Sequence, residues 1–177
     1  MPPACQSTAI RTGVRAARAS WIATLDGDGQ NDPADIPNLS ARMRADTGDP
    51  PLWLIAGWRR RRRDSAVKRL ASRVANGVRR RLLDDDTPDT GCGLKLFRRD
   101  VFLELPCFDH MHRFLPALVQ RAGGRVVSVT VNHRPRARGQ SKYGVFDRLW
   151  VGIVDLFGVS WLQRRAKRPL VSEVDAE

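Results

Sequence analysis

WIATLDGDGQNDP, residues 21–33, carries the reading of this chain. A short apolar run, Trp21 to Leu25, stops at a polar loop with two glycines, the pattern of a buried strand that opens at its carboxyl end. Asp26 and Asp28 stand two apart there, so both carboxylates can turn toward one point, where unpaired they would repel. A divalent cation resolves that conflict. Oxygen donors suit Mg2+ or Mn2+, with waters and substrate phosphates completing the shell. Gln30 is placed to add an oxygen ligand or to bind a metal-bound water. An isolated motif of this kind is more often a solvated Asp/Gly turn, so the decision rests on its surroundings.

Upstream, Ala9, Ile10, Val14 and Ala17 fall near helical spacing, which predicts a helix over residues 6–18 before the strand. Downstream, Asp35 is placed to cap a helix through 36–46, and Leu52 to Ala56 form a second buried strand. Residues 64–83 read as a very basic helix, with Val67, Leu70, Val74 and Val78 on its apolar side, broken by Asp84 to Thr90. Leu115 to Gln120 belong to another helix, ended by Gly123 and Gly124, and Val126 to Val131 read as a strand. A basic, proline-bearing loop, NHRPRARGQSKYG (132–144), follows. Alternating helices and strands predict an α/β fold built on one sheet.

At 177 residues with 42% hydrophobic content, the chain can build one core without disulfides or a structural metal. Its three cysteines are scattered, which points away from a disulfide framework or a zinc knuckle. The formal charge of +12 favours anionic partners: nucleic acid, an acidic membrane surface or phosphate-bearing substrates. The arginine-rich stretch Arg59 to Arg81 would suit nucleic acid, yet no aromatic-interleaved strand motif accompanies it, and no nucleic-acid partner is expected. No apolar run of about 18 residues is present. Residues 145–162 are largely apolar, interrupted by Asp147, Arg148 and Asp155, and carry Trp150 and Trp161 before a basic cluster. That pattern fits an interfacial membrane helix or a helix packed on the sheet.

The segment TLDGDGQNDPADIP (24–37) resembles the metal-binding D-x-D-x-Q stretch of family 2 glycosyltransferases, in the branch of dolichol-phosphate mannose synthase and bacterial polyprenyl-phosphate sugar transferases. The resemblance continues, in the family's order, through GWRRRRRDSAVKRLASRVAN (57–76), DTGCGLKLFRRDVF (89–102), HRFLPALVQRAGG (112–124) and RPRARGQSKYG (134–144). It implies a GT-A, Rossmann-like mixed sheet flanked by helices. QSTAIRTGVRAARASWIATLDGDG (6–29) resembles the helix and strand that follow the family's first βαβ unit, which binds the nucleotide base and ribose. The expectation is therefore an amino-terminally truncated GT-A domain over residues 1–142, an amphipathic interfacial helix over 143–168 and a tail over 169–177.

The same resemblance implies roles. Asp26, Asp28 and Gln30 match the metal positions, where Mg2+ or Mn2+ would bridge the donor diphosphate. Arg136, Ser141 and Lys142 match a loop that closes over the donor phosphates. Arg59, Ser72, His112 and Arg113 resemble acceptor-side positions, and Asp89, Gly91 and Gly93 the turn beside the donor sugar. Read on its own, a helix over 64–83 would put Lys68, Ser72 and Asn76 on one face, suited to a phosphate or simply to solvent. The implied reaction moves a sugar from a UDP- or GDP-linked donor to undecaprenyl or dolichyl phosphate, by a peripheral enzyme on an anionic membrane surface at its cytoplasmic face. A phosphate-monoester acceptor is largely ionised at neutral pH, because its second pKa is about 6, so no general base is nominated. A non-catalytic remnant that keeps the fold is the alternative.

Overall fold

The computed structural model describes residues 6–60, 77–134 and 145–166, with side chains from 151 onward in the last stretch. Helix α1 (Gln6–Ala16) precedes strand β1 (Trp21–Thr24). A 3-10 turn (Pro33–Asp35) leads into α2 (Ile36–Arg44) and then β2 (Leu52–Trp58). Residues 77–83 are helical (α3). Strand β3 (Lys95–Arg98), α4 (Arg99–Glu104), a second 3-10 turn (Met111–Arg113), α5 (Leu115–Ala122), β4 (Arg125–Thr130) and α6 (Val145–Arg164) follow.

The sheet has the order β1-β3-β2-β4. Strand β3 runs antiparallel to both β1 and β2, whereas β2 and β4 are parallel. Strands β1, β2 and β4 therefore point the same way, and their carboxyl ends share one edge with the start of β3. The register fixes this, since Lys95 lies opposite both Thr24 and Ala56. The acidic loop after β1, Arg59 after β2, the 89–93 turn before β3 and the root of the 132–144 loop after β4 all meet the sheet at that edge.

Both faces are covered, which is why β2 reads as the nearly unbroken apolar run LWLIAGW. Leu54 and Phe97 join Val14, Phe102, Leu118 and Val159 in one core, under α1, α4, α5 and α6. Ile55 and Leu96 point the other way and pack with Leu39 of α2, Cys92 and Leu94. Leu39, Leu54 and Leu118 are fully buried, each contributing about 1.5–3 kcal/mol. Helix α5 ends where expected: Gly123 adopts φ 107°, and its N–H and that of Gly124 close on the carbonyls of Gln120 and Val119.

Three local readings change. Strand β1, expected to be buried, pairs among the described residues only with β3 at the sheet edge and is half-exposed, and Leu25 just beyond it is 41% exposed. Strand β3 and helix α4 were not expected, because KLFRRDVF puts charges where a strand should be apolar. Asp35 does not cap α2 with its side chain. Asp32 accepts from Ala34 N–H in the 3-10 turn, while the buried Asp35 carboxylate accepts from Asn132, N–H at 2.7 Å and Nδ2 at 3.3 Å. A carboxylate at the head of one helix thus ties down the chain leaving β4, which a local capping rule cannot see.

Helix α6 packs on α5, with Val159 in the core beside Leu118 and Arg121 Nε donating to the Leu162 carbonyl, while the buried Ser160 Oγ donates to the Leu82 carbonyl of α3. Its outer side is apolar too: Val154, Phe157 and Trp161 are 54%, 62% and 60% exposed. Among the described residues no helix is long and apolar enough to cross a membrane.

Candidate active site

Asp26 leaves β1 and folds back over the turn that opens β3. Gly93 has no side chain, and a Cβ there would meet the Asp26 carboxyl atoms at 2.2–2.5 Å. Thr24 Oγ1 donates to the Gly93 carbonyl (3.0 Å), Asn31 Oδ1 accepts from Asp26 N–H (3.0 Å), and Gln6 Nε2 donates to Asp26 Oδ1 (3.2 Å). Asp28 Oδ1 accepts from Gln30 N–H (3.1 Å), and Gly29 takes φ 76°, the left-handed conformation that makes glycine favoured in this tight loop. Asp26, Asp28 and Gln30 therefore sit on one closed turn at the carboxyl end of β1.

The facing turn, residues 89–93, is pinned by three cations from three elements. Arg59, just beyond β2, pairs with Asp89 in a two-pronged bridge, Nε to Oδ2 at 2.7 Å and Nη2 to Oδ1 at 2.9 Å. Burial opposes the charge on Arg59, but the paired carboxylate outweighs it and raises the pKa. Lys95 is 4% exposed and gives its ammonium to the carbonyls of Thr90 and Cys92. Burial lowers its pKa, while Cys92, Asp26 and Asp89 act in the opposite sense. Arg79 of α3 donates to the Thr87 carbonyl (2.5 Å) and to Thr90 Oγ1, and lies 3.5 Å from Asp85. Carboxylates and cations interleave, so the turn is held in a fixed position against Asp26.

The root of the 132–144 loop lies beside the Asp28 turn. Arg134 Nη2 is 2.7 Å from Asp32 Oδ2, Arg134 N–H donates to the Gln30 carbonyl (3.0 Å), and Asn31 bridges to His133. Arg136, Ser141 and Lys142 lie outside the described residues, as does Ser72.

His112 connects the second 3-10 turn to the same cluster. Its Nδ1 is 2.8 Å from Ser7 Oγ, next to Gln6, which reaches Asp26. Burial, then the charges of Lys95, Arg113 and His110, lower its pKa from 6.5 to about 4, so the ring is neutral at pH 7. Unfolded chain binds a proton that the folded chain refuses between those values. Stability is therefore full above pH 6.5 and falls as the pH drops toward 4. His112→Gln should flatten this part of the profile by about 2 kcal/mol, a figure reduced for partial solvent exposure. Urea unfolding across the pH range measures it; an unchanged slope contradicts the assignment.

The sequence-derived residues Asp26, Arg59, Asp89 and Gly93 meet in one place, with Asp28 and Gln30 on the adjoining turn. Gly91 stands beside Arg59 and Asp89 but is exposed, and Arg113 is exposed. The sequence reading missed Lys95, Asn31, Arg79, Gln6 and Ser7. A lysine between apolar neighbours in GLKLF was the one available signal, since a buried cation needs partners. Among the described residues no three His, Cys, Asp or Glu side chains gather as a metal cage. Two carboxylates and an amide offer oxygen alone, a set that fits an ion keeping waters and substrate phosphates.

The family description for glycosyl transferase family 2 matches residues 6–105. The dodecaprenyl-phosphate galacturonate synthase of Rhizobium johnstonii is 35% identical over 167 residues, covering 93% of this chain and 48% of that protein. The undecaprenyl-phosphate 4-deoxy-4-formamido-L-arabinose transferase of Shewanella sediminis is 34% identical over 139 residues, 78% of this chain and 40% of that one. The chain thus spans less than half the length of these two relatives. Among solved structures, glucosyl-3-phosphoglycerate synthase from Mycobacterium tuberculosis with Mg2+ and uridine diphosphate superposes with a TM-score of 0.64 at 16% identity, over 90% of this chain and 54% of that one. That likeness establishes the fold, a GT-A mixed sheet flanked by helices.

Proposed function

The chain belongs to glycosyl transferase family 2, and from that premise we propose that it transfers a sugar from a UDP- or GDP-linked donor to a polyprenyl phosphate, in a metal-dependent reaction at a membrane surface. The observation that carries this reading is the seating of the Asp26 carboxylate on the Gly93 backbone, which sets the acidic loop against the 89–93 turn. Two relatives named for polyprenyl-phosphate substrates support it. An undecaprenyl or dolichyl chain fits equally.

Asp26, Asp28 and Gln30 would hold Mg2+ or Mn2+, which when bound offsets charge on the departing nucleoside diphosphate. The remaining roles belong to the chain's own groups. Arg59 fixes Asp89, and with it the turn that borders the donor sugar. Lys95 holds the carbonyls of that turn inward while its charge balances Asp26 and Asp89. Asp32 and Asn31 anchor the root of the loop carrying Arg136, Ser141 and Lys142, so that these residues close on phosphates bound beside Asp28. His112, being neutral, positions the start of α1 through Ser7 and leaves Gln6 on Asp26. Arg113 and Ser72 receive the acceptor phosphate, which attacks as the ionised monoester.

The acceptor's apolar tail stays in the bilayer, so the enzyme must work at the interface, peripherally and at the cytoplasmic face. The exposed stripe Val154, Phe157 and Trp161 on α6 supplies apolar contact, and Arg164 and Arg165 follow it. Arg165 already lies over the Trp161 ring, 5.8 Å from its centre. In a flotation experiment the chain is expected to rise with anionic liposomes and a version ending at Gly139 to remain below. Sedimentation of both at low and physiological salt contradicts the membrane role. Incubating the protein, extended to the length of its relatives, with polyprenyl phosphate and a panel of labelled UDP- and GDP-sugars tests the reaction. Label should pass to the lipid phosphate from one donor; transfer from none overturns the assignment.

A further inference from the structure

The sheet has a second end, where β2 and β4 begin, away from Asp26. There α3, the α5–β4 turn and the end of α6 border a recess of about 650 Å³. Arg81, Arg121, Arg125 and Arg164 line it against a single acid, Asp84. Arg125 is committed to Asp46 and the Pro50 carbonyl, and Arg121 to the Leu162 carbonyl. Arg81 and Arg164 are exposed and make no ion pair with any described residue. The recess therefore keeps a net positive charge, with two guanidinium forks available.

The exposed apolar stripe of α6 leads to this recess. Val154, Phe157 and Trp161 are spaced three and four apart, and Arg164, three further on, stands at the recess wall. An apolar track that ends at a recess lined by guanidinium groups matches an amphiphile with acyl chains at one end and a phosphate at the other. Guanidinium forks bind phosphate oxygens in pairs. We propose that this recess binds the phosphate headgroup of an anionic membrane lipid, a site separate from the reacting one. The proposal rests on the membrane reading of α6 and adds a defined headgroup position to it.

Flotation of the full chain tests it, with vesicles of phosphatidylcholine alone or mixed with phosphatidylglycerol. Wild type should prefer the anionic vesicles. Arg81→Ala/Arg164→Ala should lose about tenfold or more of that partitioning, whereas Arg15→Ala/Arg18→Ala, which removes the same charge from exposed positions on and just beyond α1, should change it less than about twofold. Arg81→Lys/Arg164→Lys should keep part of the preference. Equal losses in the two alanine pairs mean diffuse charge and overturn the site. If Phe157→Ala/Trp161→Ala abolishes flotation and the recess pair changes nothing, the membrane reading stands and the headgroup site falls. If wild type floats with neither vesicle, both fall. A thermal shift with inorganic phosphate that depends on Arg81 and Arg164, without a vesicle preference, reassigns the recess to a soluble phosphate and overturns the lipid assignment.

Discussion

Asp28→Asn is expected to lower kcat/KM for sugar transfer by about 10²–10³-fold, the scale for losing one group that stabilises charge at the reacting centre. The substitution keeps the side-chain volume and the Oδ1 that accepts from Gln30 N–H, so the loop should still close. What is lost is the negative charge that, with Asp26, would hold a divalent ion against the donor diphosphate. Unfolding by urea should place the variant within about 0.5 kcal/mol of wild type, as befits a surface loop position. Wild-type kcat/KM in this variant removes Asp28 from the mechanism. An equally large loss of stability would instead mean that the carboxylate serves the fold.

Gly93→Ala should be nearly as damaging to activity, for a steric reason. The new methyl would lie 2.2–2.5 Å from the Asp26 carboxyl atoms, so one of the two must move. Asp26 is the end of a side chain and will swing away, breaking its contact with Gln6 and its alignment with the 89–93 turn. A displacement of this size costs on the order of a hundredfold in rate while leaving the buried core intact. Gly91→Ala is the control, because a Cβ there meets Arg59 at 3.5 Å and Asp89 at 3.8 Å, ordinary contact distances. The pair should separate clearly, with Gly91→Ala within a few-fold of wild type, given its ordinary contacts and open position. Similar activities in both variants would contradict the close approach on which the site is built.

Much of this arrangement was legible in the residues. The run Trp21 to Leu25 ending in DGDGQ announced a strand with an acidic loop at its carboxyl end, although β1 is a half-exposed edge strand rather than a buried one; LWLIA announced a strand covered on both faces, and there the apolar run did report burial. The α5 stop at Gly123 and Gly124 was equally plain. Strand β3 was not, since Lys95 and Arg98 bound a four-residue strand whose first charge is tolerated only because Thr90 and Cys92 turn carbonyls toward it. That compensation comes from the preceding turn's three-dimensional course. The same limit hid the role of Asp35, whose partner Asn132 is 97 residues away, and the two-pronged pairing of Arg59 with Asp89. Arg59 read as one member of an arginine run facing an anionic ligand; its nearest anion is part of the chain. The path from His112 through Ser7 to Gln6 and Asp26 joins segments more than a hundred residues apart, and no local spacing encodes it.

The decisive experiment follows the transfer of labelled sugar to polyprenyl phosphate, by the protein extended to the length of its relatives, in excess chelator and after adding back Mn2+ or Mg2+. Transfer should stop in chelator, return with either ion in wild type, and fail to return in Asp28→Asn. Undiminished transfer in excess chelator, or full recovery in Asp28→Asn, would contradict the claim that Asp26 and Asp28 hold the metal for this reaction.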